Sequence, residues 1–355
     1  MIRKIKELSI SKEATLRDAL KKMDAIGRKL LIVVDNNRFY SLISIGDIQR
    51  SIINNTELST TIKMVLRSDI RVANEGDNLE NIKEQMIIRR NEFMPVISTE
   101  GKILKVILWE ELFDEVLPKS RKKYNLPVVI MAGGEGKRLR PLTNVLPKPL
   151  IPVGKKTVIE MIMDQFYELG SNDFYISLNY KADFIEYYLN GLKNKKYNIK
   201  YLREPSPLGT VGSLHFLKHK ISETFFITNC DILIDQDYSE ILNYHKENQN
   251  EITIVSALKS IAIPYGVLDT GENSSLIRIN EKPYFTVKIN TGFYILESHL
   301  IDEIPEKSFF HITWLIEKVI GREGRIGVFP ISEGSWKDIG NWNEYLNITK
   351  SCRNI

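Results

Sequence analysis

Residues 127–153 read PVVIMAGGEGKRLRPLTNVLPKPLIPV and carry the most informative pattern in the chain. The first part of this stretch, Val128–Met131, is a short apolar run of the kind that forms a buried strand. Gly133, Gly134 and Gly136 follow at once. Because glycine has no Cβ, a chain that leaves a strand through such residues can bring its backbone N–H groups close to an anion. This stretch therefore predicts a strand followed by a phosphate-binding turn.

Two cations come next in the same stretch. Arg138 carries a planar fork of donors that fits phosphate oxygens. Lys148 lies ten residues further on between Pro147 and Pro149, and we expect these prolines to hold the local backbone extended. The sequence thus predicts a cradle for a polyphosphate with two cations directed at it.

The glycines have three other possible interpretations: a P-loop, a dinucleotide-binding fingerprint and an ordinary tight turn. A P-loop would need glycine where Met131 stands and a hydroxyl residue where Arg138 stands. A dinucleotide-binding fingerprint would need a glycine where Leu139 stands. An ordinary tight turn accounts for a lone Gly-Gly pair, but it leaves the rest of the string without a reason.

The whole string resembles the signature of the sugar-1-phosphate nucleotidyltransferases, the enzymes that make NDP-sugars. That signature is roughly G-G-x-G-x-R-L-x-P-L-T followed by P-K-P, and it is matched here by Gly133, Gly134, Gly136, Arg138, Leu139, Pro141, Leu142, Thr143, Pro147, Lys148 and Pro149. The resemblance covers residues 127–345. It implies an α/β fold with a Rossmann-like, mostly parallel or mixed sheet, catalytic roles for Arg138 and Lys148, and nucleotide binding by Ala132, Gly133 and Gly134.

The bulk properties of the chain restrict its class. With 355 residues, the chain is long enough for two domains. A net charge of +4 is mild for this length, so it favours neither a nucleic-acid nor a membrane partner. Only Cys230 and Cys352 occur, and the N-terminus lacks the apolar core of a signal peptide. We therefore expect a reduced, cytoplasmic protein.

Residues 1–118 contain a duplication. Leu16 and Met23 are echoed 63 residues later by Leu79 and Met86, and Asp47 is echoed by Glu111 after one inserted residue. Each copy reads as a helix, two short strands and a second helix. A unit of this size would bury its apolar face against its twin.

The duplicated pattern resembles a tandem pair of CBS domains (the cystathionine β-synthase type), an α+β module that commonly binds AMP, ATP or another adenine nucleotide. The resemblance implies ribose binding by Ser44 and Asp47. In the second copy the equivalent run is Leu108–Glu111, which lacks the hydroxyl, so at most one good site is expected. The alternative is that Ser44 simply caps a helix whose first turn holds Asp47.

These resemblances predict three parts of the chain: a tandem CBS pair at 1–118, a linker at 119–126 and a nucleotidyltransferase domain at 127–355. Because CBS pairs commonly stack, we expect a homodimer or a higher homo-oligomer. Within the third part, the patterns predict a helix over Thr157–Leu169, a strand over Phe174–Leu178 and a helix over Ala182–Leu189. Ligands of such sheets lie at the carboxyl ends of the strands.

Two acidic residues are candidates for a Mg²⁺ site. Asp231 follows the buried-strand run Phe225–Thr228, and a carboxylate there is well placed to hold a hard cation beside a triphosphate. Asp338 lies in W-x-D-x-G, which resembles the late motif that completes the family's metal site. Asp235 and Asp237 are interpreted as surface loop residues.

The remaining motifs concern the two substrates. Gly209 and Thr210, in the string PLGT, most resemble the loop that covers the nucleobase in guanylyltransferases, although adenylyltransferases carry similar loops, and we favour GTP. The resemblance implies sugar contacts at five residues, with the ammonium of the third meeting the sugar phosphate: Gly266, Glu281, Lys282, Asn290 and Gly292.

The implied reaction transfers a nucleotidyl group from an NTP to a sugar 1-phosphate and gives an NDP-sugar and pyrophosphate. The sugar would be one such as glucosamine or mannose 1-phosphate, in a bacterial surface-glycan pathway. An adenine nucleotide at the CBS pair could regulate the reaction. Two alternatives stay open: a regulatory protein that only binds NDP-sugars and adenylates through a degenerate transferase domain, and an NAD-dependent dehydrogenase. The set of phosphate-seeking cations and paired acids argues against both.

Overall fold

The structure is a computed structural model that describes residues 2–113, 123–192, 196–340 and 342–352. The described residues form two units. The first comprises 2–113, 258–288 and 332–334, and the second comprises the rest. Of the predicted linker, residues 119–126, the first half (119–122) lies outside the described residues.

Residues 2–113 alternate short helices and short strands. In chain order these are α1 (Ile2–Leu8), β1 (Ser9–Ser11), α2 (Leu16–Ile26), β2 (Leu30–Asp35), β3 (Arg38–Ser44), α3 (Ile45–Ile53), β4 (Ala73–Asn74), α4 (Leu79–Arg89), β5 (Phe93–Ile97) and β6 (Ile103–Leu108).

The described residues from 123 onward are richer in strands. In chain order their elements are β7 (Val128–Met131), α5 (Leu142–Val145), β8 (Pro152–Val153), β9 (Lys156–Thr157), α6 (Val158–Leu169), β10 (Asp173–Leu178), α7 (Ala182–Gly191), β11 (Asn198–Arg203), β12 (Phe225–Asn229), β13 (Ile232–Ile234), α8 (Tyr238–Glu247), β14 (Ile252–Ala262), β15 (Val267–Thr270), β16 (Leu276–Asn280), β17 (Tyr284–Leu296), α9 (Ile312–Gly321), β18 (Ile326–Ser332), β19 (Trp336–Asp338) and α10 (Trp342–Cys352).

The first unit repeats one topology, which confirms the duplication. Strand β1 pairs in parallel with β2, and β2 pairs antiparallel with β3; β4, β5 and β6 pair in the same way. The partners Ile10↔Val33 in the first copy become Ala73↔Val96 in the second, 63 residues later. A bulge also falls at the same place in both copies, between residues 33 and 34 and between 96 and 97.

The second unit is organised around a mixed sheet, as predicted. Its strand order is β11-β10-β7-β12-β17-β14-β18, and β11, β10, β7 and β12 run parallel, whereas β17 is antiparallel to β12. The residues of β7 from Val128 to Ile130 are fully buried, because the strand lies in the middle of the sheet. The glycine-rich stretch therefore starts from the centre of the sheet.

The helix expected to follow this stretch is present. Thr157 caps α6 in a capping box with Glu160, and Gly170 ends the helix in the left-handed conformation, as the sequence indicates. Strand β10 and helix α7 also lie where they were expected, within two residues at each end. No helix of the described residues is long and apolar enough to cross a membrane.

A buried histidine makes the stability of the second unit depend on pH. The ring of His245 lies with Nδ1 2.8 Å from Thr253 Oγ1 and Nε2 3.0 Å from Glu297 Oε1. Burial lowers the pKa of His245, although the hydrogen bond to Glu297 acts in the opposite direction. The neutral ring is therefore the form that the folded chain prefers.

We expect the free energy of unfolding to fall as the pH drops below about 6.5, the ordinary pKa of histidine in an unfolded chain. In that range the unfolded chain takes up a proton that folded His245 resists. Urea midpoints at about pH 7.5 and about pH 5.5 should differ more in the wild-type protein than in His245→Asn. Equal pH dependence in the two proteins would contradict this role of His245.

Candidate active site

The candidate site lies where two neighbouring parallel strands end. Met131, at the end of β7, pairs with Asn229, at the end of β12. Because parallel strands end at the same edge, the acidic residue after β12 comes together there with the loop after β7, residues 132–136, called the glycine loop below. The predicted cradle and the predicted metal ligand Asp231 thus meet at one edge of the sheet.

The glycine loop follows the sheet edge closely before it turns away. The N–H of Ala132 donates to Ser177 O at 2.9 Å, which continues the strand pairing by one residue. A Cβ on Gly133 would lie 3.3 Å from Asn179 Cβ and from Glu204 Oε1, whereas one on Gly134 would meet nothing within 4 Å. The loop is therefore packed on one side at Gly133 and open at Gly134.

Gly136 is the tightest position of the loop. Its φ is +64°, and a Cβ there would lie 2.9 Å from Thr143 Cγ2 and 3.2 Å from Lys148 Cβ. The hydroxyl of Thr143 donates to Gly136 O at 3.0 Å. The glycine lets the loop wrap around Lys148, which no residue with a Cβ could do without displacing its neighbours.

Lys148 differs from the prediction in its backbone. Pro147 is extended, with φ −63° and ψ 145°, but Lys148 begins a single 3₁₀ turn, Lys148–Leu150. The expectation of an extended backbone on both sides of Lys148 was wrong, because Pro149 occupies an early position of that turn, where proline is tolerated. The turn directs the buried Lys148 ammonium to Asp231, with which it forms an ion pair.

The two predicted metal ligands lie side by side. Strand β13 pairs antiparallel with β19, which places Ile232 opposite Asp338, and the N–H of Ile339 donates to Asp231 O at 2.8 Å. Burial raises the pKa of Asp338, and the charge of Asp231 acts in the same direction. Asp338 Oδ1 is buried and has no hydrogen-bond partner among the described residues.

This arrangement fits a magnesium ion. Mg²⁺ in nucleotide sites is held by one or two carboxylates together with phosphate oxygens and water. Asp231 and Asp338 supply such a pair, and the unpartnered Oδ1 of Asp338 is an oxygen that a cation would satisfy. No group of three or more His, Cys, Asp or Glu side chains in the described part of the chain forms a closed metal cage.

Arg138 lies beside Asp338. Its Nη1 is 4.0 Å from Asp338 Oδ2, and 67% of its side chain is exposed. A Cβ on Gly340 would lie 2.8 Å from Arg138 Nη2, so the glycine of the W-x-D-x-G motif makes room for the guanidinium. The guanidinium is open to solvent and available to an incoming anion.

The loop with the string PLGT is tightly anchored. Gly209 has φ +80°, and a Cβ there would lie 2.6 Å from Phe310 O. The hydroxyl of Thr210 accepts the N–H of Ile312 at 2.8 Å, so it serves the N-terminus of α9. Its predicted role at the nucleobase stays a prediction; the structure shows that the loop packs against Phe310 and Ile312.

Glu204 is a candidate that the sequence analysis missed. This buried carboxylate accepts the Ser177 hydroxyl at 2.5 Å and the N–H of Leu208 at 2.9 Å, and it lies against Gly133. It therefore joins the glycine loop to the PLGT loop. A single glutamate in a polar loop is usually exposed, so no pattern in the sequence indicated this position.

Two of the predicted sugar contacts belong to the second unit. Gly292 has φ +81°, and the side chain of Asn229 fills the space that a Cβ would need. Asn290 Oδ1 accepts the N–H of Gly292 at 3.0 Å. Next to Asn229, burial raises the pKa of the Cys230 thiol to about 12, so this cysteine is not a nucleophile at neutral pH.

The other three predicted sugar contacts belong to the first unit, where the structure brings them together. A Cβ on Gly266 would lie 3.0 Å from Glu281 Oε2. The N–H of Lys282 donates to Tyr265 O at 3.3 Å. Lys282 has φ +46°, a backbone conformation that residues other than glycine rarely adopt. Functional sites are one of the places where such backbone conformations occur.

Ser44 and Asp47 form a helix cap in the first unit. Asp47 Oδ2 accepts from the N–H of Ser44 at 2.9 Å and from its hydroxyl at 2.7 Å. The buried Asp47 carboxylate also pairs with Arg50 and Arg67. Glu111, its counterpart, accepts the N–H of residue 108 at 2.8 Å. The capping role of Ser44 is confirmed, and nucleotide binding there stays a prediction.

Two glycines of the same loop should respond differently to alanine. We expect Gly136→Ala to lower the free energy of unfolding by about 1–3 kcal/mol, because its φ is positive and its Cβ would meet Thr143 and Lys148. The matched control Gly134→Ala has open space for a Cβ and should stay within about 0.5 kcal/mol of wild type. Urea unfolding measures both, and equal effects would refute the close packing at Gly136.

Comparisons with known proteins show which proteins this chain is similar to. The chain is 33% identical over 228 residues to the mannose-1-phosphate guanyltransferase of Yarrowia lipolytica, and this alignment covers 62% of each chain. It is 31% identical over 228 residues to the mannose-1-phosphate guanylyltransferase catalytic subunit beta of Dictyostelium discoideum, which covers 62% of this chain and 63% of the relative. The match thus spans less than two thirds of the length of these relatives.

A solved structure supports the fold. A putative glucose-1-phosphate thymidylyltransferase from Bacillus anthracis, in complex with a sucrose, superimposes with a TM-score of 0.52 at 20% identity, over 65% of this chain and 96% of that one. The CBS domain family matches residues 1–54, and the family described as nucleotidyl transferase matches residues 127–354. Since the latter match covers more than half of the chain and contains the whole glycine loop, this chain belongs to the nucleotidyl transferase family and carries a CBS domain at its N-terminal end.

Proposed function

We propose that this chain transfers a guanylyl group from GTP to a hexose 1-phosphate, giving an NDP-sugar and pyrophosphate. The observation that carries this proposal is the group of opposite charges at the ends of β7 and β12, where Lys148 pairs with Asp231 and Arg138 lies beside Asp338. The printed names of the relatives make GTP and mannose 1-phosphate the first substrates to test. Glucosamine 1-phosphate is the next.

The proposed reaction is a single displacement at phosphorus. An oxygen of the sugar phosphate forms a bond to the α-phosphorus of the nucleotide. The bond from that phosphorus to the oxygen bridging to the β-phosphate breaks, and pyrophosphate leaves with the electron pair. The attacking oxygen is already anionic, so no general base is required, and catalysis consists of positioning and charge neutralisation.

Each charged residue has a proposed part in this reaction. Arg138, whose guanidinium is exposed, neutralises the departing pyrophosphate, and Lys148 neutralises the nucleotide phosphates. Lys282 holds the attacking sugar phosphate, a role that rests on the resemblance. Asp231 and Asp338 would hold Mg²⁺, which would supply further neutralisation of the phosphate charge.

The first experiment measures pyrophosphate release in the presence of Mg²⁺ with each of ATP, GTP, CTP, UTP and dTTP. Each nucleotide is paired with mannose, glucose or glucosamine 1-phosphate. Turnover with GTP is the expected result. Turnover with another base would change the proposed nucleotide, and no turnover with any pair would favour a protein that only binds NDP-sugars.

Arg138→Ala should lower kcat by about 10²–10³-fold and change KM for GTP by less than about threefold. The reason is that the guanidinium acts mainly as charge moves onto pyrophosphate. Arg140→Ala is the matched control: Arg140 lies two residues away, is also exposed, and pairs with Glu135 at 3.0 Å. Its kcat should be close to that of wild type. Equal losses in the two variants would remove the proposed role of Arg138.

We also propose that an adenine nucleotide binds at Ser44 and Asp47, where the partly exposed Arg50 and Arg67 could meet its phosphate. Calorimetric titration should then show weaker AMP binding to Ser44→Ala than to wild type. Thr15→Ala is the control, because Thr15 caps α2 in the same kind of capping box. Equal affinities in all three proteins would remove this site. The proposed homodimer can be tested by light scattering.

A further inference from the structure

Helix α2 of the first unit has two functional faces. Its inner face lies in the hydrophobic core and consists of Leu16, Ala19, Leu20 and Met23. Its outer face carries Arg17, Lys21 and Asp24, which are four and three residues apart and therefore lie along one side of the helix. These three polar residues are not needed by the core, so their contacts show what the outer face does.

The outer face holds the start of β17. Arg17 Nη2 donates to Thr286 Oγ1 at 3.4 Å, and Lys21 Nζ lies 3.9 Å from the centre of the Tyr284 ring. Tyr284 comes two residues after Lys282 in the chain. Along the chain, the contact with α2 therefore lies immediately after Lys282, the residue that the resemblance assigns to the sugar phosphate.

The same face also holds the segment that leads to β19. The carboxylate of Asp24 accepts the Ser332 hydroxyl at 2.7 Å and the N–H of Gly334 at 3.1 Å. Leu258, at the other end of the 258–288 segment, is buried in one hydrophobic cluster with Leu16 and Leu20 of α2. Both ends of that segment are thus fixed to α2 or to its core.

Between these fixed ends, residues 265–283 form a hairpin with little support of its own. Among the described strands, β15 and β16 pair only with each other, and Leu268, Ile277 and Ile279 are 59%, 71% and 56% exposed. An isolated two-stranded hairpin is marginally stable in water, so its position depends on what holds its base. The base is closed by the N–H of Ile263, which donates to Pro283 O at 3.0 Å.

We propose that α2 is a positioning element for this hairpin, and that Lys21 is a positioning residue for Gly266, Glu281 and Lys282. The proposal rests on the proposed function, in which these residues bind the sugar 1-phosphate. It assigns the N-terminal unit a definite output: a change at α2 alters the affinity for the sugar 1-phosphate and leaves the affinity for the nucleotide as it was.

Steady-state kinetics of the full-length protein test this assignment. Lys21→Ala should raise KM for mannose 1-phosphate about three- to fivefold, the upper part of the range expected for losing one exposed cation–π contact. KM for GTP and kcat should stay within about twofold, and Lys21→Arg should restore the low KM because arginine also stacks on tyrosine. If mannose 1-phosphate is not the substrate, the sugar found to turn over takes its place.

Lys12→Ala is the matched control. Lys12 Nζ lies 5.1 Å from the centre of the Tyr40 ring in the same unit and forms an ion pair with Asp35. The substitution therefore removes a similar lysine–tyrosine contact at a place away from the hairpin. Its kinetics should equal those of wild type. The proposal is overturned if Lys21→Ala behaves like Lys12→Ala, or if it raises both KM values equally.

Hydrogen exchange separates this proposal from the proposed function. In full-length Lys21→Ala, the amides of β15 and β16 should exchange faster than in wild type or in Lys12→Ala. Unchanged exchange in the hairpin would overturn the positioning role even if the enzyme is active. An absence of turnover in wild type would instead refute the proposed function, while the exchange rates would still decide whether α2 holds the hairpin.

Discussion

The ion pair between Lys148 and Asp231 is the constraint on which the rest of the site depends. Both side chains are nearly buried, and a buried charge without its partner would cost several kcal/mol. The turn after Pro147 and the segment after β12 must therefore stay together. The conformation of Gly136 is part of the same constraint, since the loop can enclose Lys148 only where no Cβ is present.

Around this pair, charges of both signs are held close together, and Lys148, Asp231 and Asp338 are largely shielded from solvent. The raised pKa of Asp338 reflects burial and the neighbouring Asp231, while the exposed Arg138 offsets part of that charge. The phosphates of a nucleotide could pair with the exposed Arg138, and a bound cation could pair with the carboxylates of Asp231 and Asp338. Binding would then require few side chains to move, and such preorganisation lowers the cost of neutralising charge during the reaction.

The first unit contributes more than a duplicated α+β module. Its helix α2 packs one face into the module's core and uses the other to hold chain segments that come more than 200 residues later. The segment from 258 to 288 groups with the first unit, although the sequence places it between strands of the mixed sheet. Long-range contacts of this kind have no local sequence signal.

The sequence alone determined the local elements and the family. The apolar run of β7, the cap at Thr157 and the 63-residue repeat are local patterns, and each predicted an element that the structure contains. The signature around Lys148 also predicted a charged site. What the sequence could not determine was the partner of each residue, because partners such as Glu204 and Gly133 are far apart in the chain.

The construction of the site became visible only in the folded chain. The structure showed that Lys148 begins a turn and pairs with Asp231, and that Asp338 lies beside Asp231 through the pairing of β13 with β19. It also showed that Lys21 of α2 contacts Tyr284, two residues after Lys282. The physical reason is that these arrangements follow from strand pairing and from burial of charge, which depend on residues brought together by the whole fold.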